Sequence, residues 1–245
     1  MSGIAPLSAG EAAAELASSA AFAPQALPEE TAHAPIIITR RTLRPQANLL
    51  LTSAYTAYQK GEFPLARNRY QQVLQADPKN RGALLGLAAI AIQGRETSLA
   101  RDLYLRLLDQ DPGDPLARAG MLAIAPGGEL VQQESELKLL LKQYPRSAPL
   151  LFSLGNIYAA GQRWSEAQQV YFEALRQAKN DAQDSGAVHP DYLFNMAVSL
   201  EHLGQMKPAV RYYQEALQLA AGQTAGFDPE ALRIRLKTFA PDAAP

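Results

Sequence analysis

Two periods run through the pattern of apolar and polar positions. The short one is helical. In "FDPEALRIRLKTF" the apolar residues Leu232, Leu236 and Phe239 fall at i, i+4 and i+7, which places them on one face of a helix. The long period is 34 residues. "GEFPLARNRYQQVLQADPKN" and "GRETSLARDLYLRLLDQDPGD" set Ala66 and Ala100, Tyr70 and Tyr104, and Pro78 and Pro112 each 34 residues apart. The set returns as Trp164, Ala167, Tyr171 and Ala174, and again as Met206, Ala209, Tyr213 and Ala216. Ala209 follows Ala167 by 42 residues, one period plus eight, and the polar stretch "KNDAQDSGAVHP" from Lys179 is expected to absorb the excess as a surface loop.

Residue size assigns roles within a unit. Gly155 and Ala167 are small where the two helices of a pair approach closely, while Tyr158, Trp164 and Tyr171 fill the space between that pair and the next unit's first helix. Gly61, Gly94, Gly161 and Gly204 are expected to end the first helices in the left-handed conformation that glycine adopts most cheaply. Pro78, Pro112 and Pro145 stop the second helices. On these residues the chain resembles the tetratricopeptide repeat, a 34-residue helix–turn–helix. The resemblance implies an all-α fold, a right-handed superhelix or α-solenoid of about five hairpins. The units are expected at Ala47–Asn80, Arg81–Asp114, Pro115–Ser147, Ala148–Asp181 and Pro190–Ala221. Unit three departs from the pattern: Gln133 stands where the others carry a small Ala, and "APGGE" (125–129) forms its turn, so its packing angle stays open.

Residues 222–245 read as a capping helix and tail, with Asp228 as N-cap, Pro229 at the first helical position and Glu230 favouring the positive end of the helix. Ile234 falls off the apolar face. A cap of this kind is what an open stack of repeats needs. Residues 1–46 form an Ala/Pro-rich leader, expected to be mobile apart from a short helix from Ser8, where Glu11 completes a capping box. The β-branched run "IIITRR" (36–41) either packs on the first helix pair or pairs as a strand with another chain.

Composition narrows the function. Lys and Arg number 23 against 24 Asp and Glu, so there is no clustered basic excess for nucleic acid, and no nucleic-acid partner is expected. With no Cys, disulfides and thiolate metal sites are excluded. No run approaches the roughly 18 to 20 apolar residues that span a bilayer. The N-terminus lacks the pattern of a signal peptide, so the chain is either cytoplasmic or the periplasmic, membrane-associated remainder of a protein whose anchor has been removed. Of the three histidines, His33 lies in the leader, His189 in a loop and His202 on the polar side of a helix. None has a second ligand at helical spacing, so no metal is expected. No phosphate loop or nucleophile elbow is present, no cofactor is expected, and Glu134 with Lys138 suits a surface i,i+4 pair better than acid–base chemistry. The chain reads as a non-enzyme.

The family resemblance implies that first helices line a concave groove that binds a peptide or helix of a partner protein. Carried onto this chain, the groove positions are Tyr55, Tyr58 and Gln59 in unit one and Leu85 and Ile92 in unit two. Units four and five add Phe152, Asn156, Phe194, Asn195, Val198 and Glu201. Asn156 and Asn195 match two asparagines with which chaperone-binding members hold a peptide's carboxylate and backbone, whereas the lysines that complete that clamp are missing and Phe152 replaces one of them. The asparagines either bond a peptide backbone or are ordinary solvated residues. Phe152 and Phe194 either meet the ligand or are covered by the C-terminal helix. The repeat region is also similar to the C-terminal part of MSHA-type pilus biogenesis proteins, which implies an accessory factor of a pilus or secretion assembly. The alternatives are a cytosolic co-chaperone-like adaptor and the repeat domain of a larger enzyme.

Overall fold

A computed structural model of the chain describes residues 43–125, 129–185 and 188–239, and among these are eleven α-helices and no strand. In chain order they are α1 (Leu43–Gln59), α2 (Phe63–Ala76), α3 (Arg81–Gln93), α4 (Thr97–Gln110), α5 (Pro115–Ile124) and α6 (Leu130–Gln143). After these come α7 (Ala148–Ala160), α8 (Trp164–Ser185), α9 (Pro190–His202), α10 (Met206–Ala220) and α11 (Pro229–Phe239). Consecutive helices pair as α1/α2 through α9/α10, each second helix packs on the first helix of the next unit, and α11 packs on α10. The fold is the all-α superhelix that the family resemblance implies. No described helix is long and apolar enough to cross a membrane.

The two helix types are built differently. In α3, "RGALLGLAAIAIQ", every residue from Ala83 to Ala91 is buried, because the helix is sandwiched between α2 and α4 and also meets α1. The second helices are amphipathic: α4 buries Ala100, Leu103, Tyr104 and Leu107, the i, i+3, i+4, i+7 stripe of a half-wet helix. Asn80 caps α3 by accepting from the Ala83 N–H at 3.0 Å, and Asp114 caps α5 by accepting from those of Leu116 and Ala117 at 3.0 Å. Helices α2, α4 and α6 each end two residues before Pro78, Pro112 and Pro145, since the residue preceding a proline is driven out of the helical region.

Two expectations are corrected. The turn inside a hairpin uses a left-handed residue two positions beyond the first helix. That residue is Gly61 (φ +74°) and Gly204 (φ +72°) in units one and five, but Arg95 (φ +57°) and Gln162 (φ +58°) in units two and four. Gly94 and Gly161 stand one residue too early and have φ of −79° and −83°. The 34-residue period carries Gly61 onto Arg95, not onto the neighbouring glycine. The second correction concerns the insertion after unit four. Residues 179–185 continue α8 as helix and are not a loop. The eighth residue after Tyr70 and Tyr104 is a proline, whereas the eighth after Tyr171 is Lys179, and nothing stops the helix there.

Unit three keeps both helices but packs them loosely. Helix α5 has only ten residues and touches α6 sparsely. Gln133 is buried, and its Nε2 donates to Leu122 O at 3.1 Å, so a polar arm bridges the gap that an alanine would close in the other units. At the C-terminus the Glu230 N–H donates to Asp228 Oδ1 at 2.8 Å. Leu232 is buried, Leu236 and Phe239 pack on the core, and Ile234 is exposed. The helix expected at Ser8, the 36–41 run and residues 126–128 of the unit-three turn lie outside the described residues.

Candidate functional site

Helix α6 of unit three carries no tyrosine, but in units one, two and four a tyrosine of the second helix organises the junction with the next unit. In the first two junctions its ring lies over a glycine of the following first helix. A Cβ on Gly86 would sit 2.3 Å from Tyr70 Cζ, and one on Gly120 2.3 Å from Tyr104 Cζ, well inside any tolerable contact. In unit four Tyr171 instead nests against Gly155 of its own pair, where a Cβ would come within 2.4 Å of Cε1. The close approach at Gly155 is therefore between helix and ring. At the next unit Tyr171 meets Asn195, which occupies the helix position held by Gly86 and Gly120 in their units.

Asn156 Oδ1 accepts from the Tyr171 hydroxyl at 2.6 Å and from Asn195 Nδ2 at 2.7 Å, and all three side chains are buried. Burial pushes the Tyr171 phenol far above its ordinary range, against a smaller opposing effect of its Asn195 contact, so it stays a neutral donor. The two asparagines are thus brought into direct contact. They are neither solvated nor open to a ligand at this carbonyl, because it is already used to join α7, α8 and α9. Asn156 Nδ2 and Ser153 Oγ, one turn apart on α7, have no hydrogen-bond partner among the described residues.

The other expected groove residues are mostly covered as well. Tyr55, Tyr58, Leu85, Phe152, Phe194 and Val198 are buried, and Gln59, Ile92 and Glu201 are half-buried, so these positions do not form an open lining in this conformation. At three of them, Tyr58, Phe152 and Phe194, neighbouring rings supply the cover. Phe152 lies 4.6 Å from Tyr192 and 5.7 Å from Tyr171, between centroids. Phe194 stacks on Phe227 at 4.5 Å and 8°, and Tyr58 meets the edge of Phe63. The cover on Phe194 therefore comes from the segment before the C-terminal helix. Glu201 accepts from the Tyr213 hydroxyl at 2.8 Å and pairs with Arg235 of α11. Trp164 stacks flat on His202, joining units four and five, while Tyr158 carries the Arg163 guanidinium 4.3 Å above its ring on the side facing unit three.

Sequence reasoning missed three contributors. The Tyr171 hydroxyl reads as part of a space-filling ring, and Thr224 and Phe227 lie in a connection with no repeat signature. Glu134 and Lys138 form the expected pair at 2.6 Å, extended by Arg163 to the same carboxylate. That pair lowers the affinity of Glu134 for a proton, chiefly through the Lys138 hydrogen bond. Among the described residues no group of three His, Asp or Glu could hold a metal ion.

Comparison with known proteins agrees with the geometry. Three family models, each described as a tetratricopeptide repeat, match residues 51–115, 150–185 and 190–223, together more than half of the chain. No curated protein matches the sequence. Among solved structures, a thermophilic tetratricopeptide-repeat protein from Thermus thermophilus superposes with a TM-score of 0.58 at 20% identity, covering 80% of this chain and 99% of that one. PilF from Pseudomonas aeruginosa gives 0.49 at 20% identity, over 82% of this chain and 87% of its own. Repeat spacing, hairpin geometry and matched segments agree: this chain belongs to the tetratricopeptide-repeat family.

Proposed function

We propose that the chain is a non-enzymatic scaffold holding a peptide or helix of a partner protein against its concave face, with the seam between α7 and α9 as the contact. The repeats themselves imply a protein-interaction scaffold. The observation that supports the α7–α9 seam is the pair of unsatisfied polar atoms on α7, Asn156 Nδ2 and Ser153 Oγ. A buried donor without an acceptor costs about 1–3 kcal/mol, and native chains rarely retain one. Both atoms are covered in this conformation, so the seam has to part before a partner's backbone carbonyl accepts from Asn156 Nδ2, while Oδ1 keeps its bond to Tyr171. Peptides selected against the chain from a displayed random library should lose binding in Ser153→Ala, whose melting temperature is unchanged or raised. Binders indifferent to that substitution would move the site elsewhere.

The process this scaffold serves is, on the sequence resemblance to MSHA-type proteins, assembly of a bacterial pilus or secretion apparatus. Deletion of the coding sequence in the host should then reduce surface pili or secreted protein, and wild-type levels of both would reject that role.

A further inference from the structure

The connection between α10 and α11 spans eight residues, 221–228, where the connections from α2 to α3, α4 to α5 and α6 to α7 span four. Its extra length is used for contacts. Gln223 Nε2 donates to Val188 O at 3.2 Å, and the Gly226 N–H donates to Asp191 Oδ1 at 2.8 Å, in the first turn of α9. The next residue places the Phe227 ring flat on Phe194. Between these anchors Thr224 reaches the opposite end of the repeat array. Its N–H donates to Gln59 O at 2.5 Å, and its hydroxyl lies 2.9 Å from both Tyr58 O and Gln59 O. These are among the last carbonyls of α1, where intrahelical donors run out, and Tyr58 O also accepts from the Gly61 N–H of the turn at 2.9 Å.

We propose that Gln223–Phe227 is an internal occupant of the concave face, standing where a partner segment docks, and that it displays the chemistry of that partner. Its contacts are those of a bound peptide: backbone N–H to carboxylate, hydroxyl to carbonyl, ring on ring. Three of the residues it engages, Tyr58, Gln59 and Phe194, are groove positions of units one and five. The partner segment is accordingly extended and made of small residues, with a free N–H immediately before an aromatic side chain. This inference rests on the scaffold reading above. It adds that partner affinity is reduced by the fraction of molecules in which the segment is seated.

The absence of cysteine makes the test clean. Lys60→Cys and Glu230→Cys, both exposed, accept a pair of spin labels flanking the contact. The otherwise native chain should give one narrow, short distance by double electron–electron resonance, and Thr224→Val/Phe227→Ala should lengthen or broaden it. A fluorescein-labelled peptide of sequence AAGQTAGFDP, copied from residues 220–229, should bind that variant about tenfold more tightly than the native chain. Replacing its Phe by Ala should abolish the gain. An unchanged label distance overturns the seated segment. A lengthened distance with equal peptide binding overturns its role as occupant, and leaves the scaffold reading to its own test with Ser153→Ala. If circular dichroism shows that Phe227→Ala melts the chain, Thr224→Val alone carries both measurements.

Discussion

The junctions at the two ends of the array hold the same ring in different ways. Tyr70 and Tyr104 press onto Gly86 and Gly120, so the following helix approaches with no side chain between, and the Tyr70 hydroxyl has no hydrogen-bond partner among the described residues. Tyr171 has Asn195 at the corresponding position, and its hydroxyl joins an amide pair. In the first arrangement the fit of ring on glycine sets the approach of the next helix, whereas the second uses directional bonds that work only at one angle between units. A repeat position thus fixes where a ring goes and leaves open what it meets.

Alkali breaks both arrangements. Burial raises the Tyr70, Tyr104 and Tyr171 phenols above their usual range. In the unfolded chain they ionise near pH 10, in the fold they remain neutral, so their stabilising contribution is complete below about pH 10 and is lost as pH rises further. Each ring should then remove about 1.4 kcal/mol per pH unit, seen as a falling denaturation midpoint between pH 10 and 11. Next in size, Asn156→Ala removes the acceptor that the Tyr171 hydroxyl and Asn195 Nδ2 share and strands the hydroxyl proton, which should lower stability by about 2–4 kcal/mol in urea. Gly86→Ala overpacks the Tyr70 ring, and the expected loss of about 1–3 kcal/mol exceeds the roughly 1 kcal/mol gained in helix propensity. Tyr→Phe sharpens the contrast through its sign. Tyr171→Phe should cost about 1 kcal/mol, while Tyr70→Phe should be neutral or slightly stabilising because no bond is lost. Smallest is Gln162→Gly, which relieves a left-handed non-glycine residue and should stabilise by about 1 kcal/mol or less; a lower midpoint would refute the strain.

What was legible in the sequence was what sterics imposes unit by unit. The period of Ala66, Ala100, Ala167 and Ala209, and of Tyr70, Tyr104, Tyr171 and Tyr213, marks residues that are all fully buried. Gln133 announced a defect in unit three because it breaks that period. Local decoys misled at two places: Gly94 and Gly161 sit beside the left-handed residue, and the polar run after Lys179 looks like a loop yet lacks a proline to end α8. The asparagine pair was legible as a pair but not in its role, since the partner of an amide depends on the rotation between neighbouring units. Thr224 was invisible for a related reason. Its position against α1 is the sum of every rotation from unit one to unit five, which no local pattern records.

The Thr224 bonds to α1 alter how the array should come apart. An open stack of repeats melts inward from its two termini, because the outermost units have a neighbour on one side only. Tying the last connection to the first hairpin removes both free termini at once. Fraying must then begin in the interior, and the thinly packed α5–α6 pair is the place where it should start. Slow amide exchange at the extremities, with the fastest exchange in the middle hairpin, is the ordering that such a belt requires.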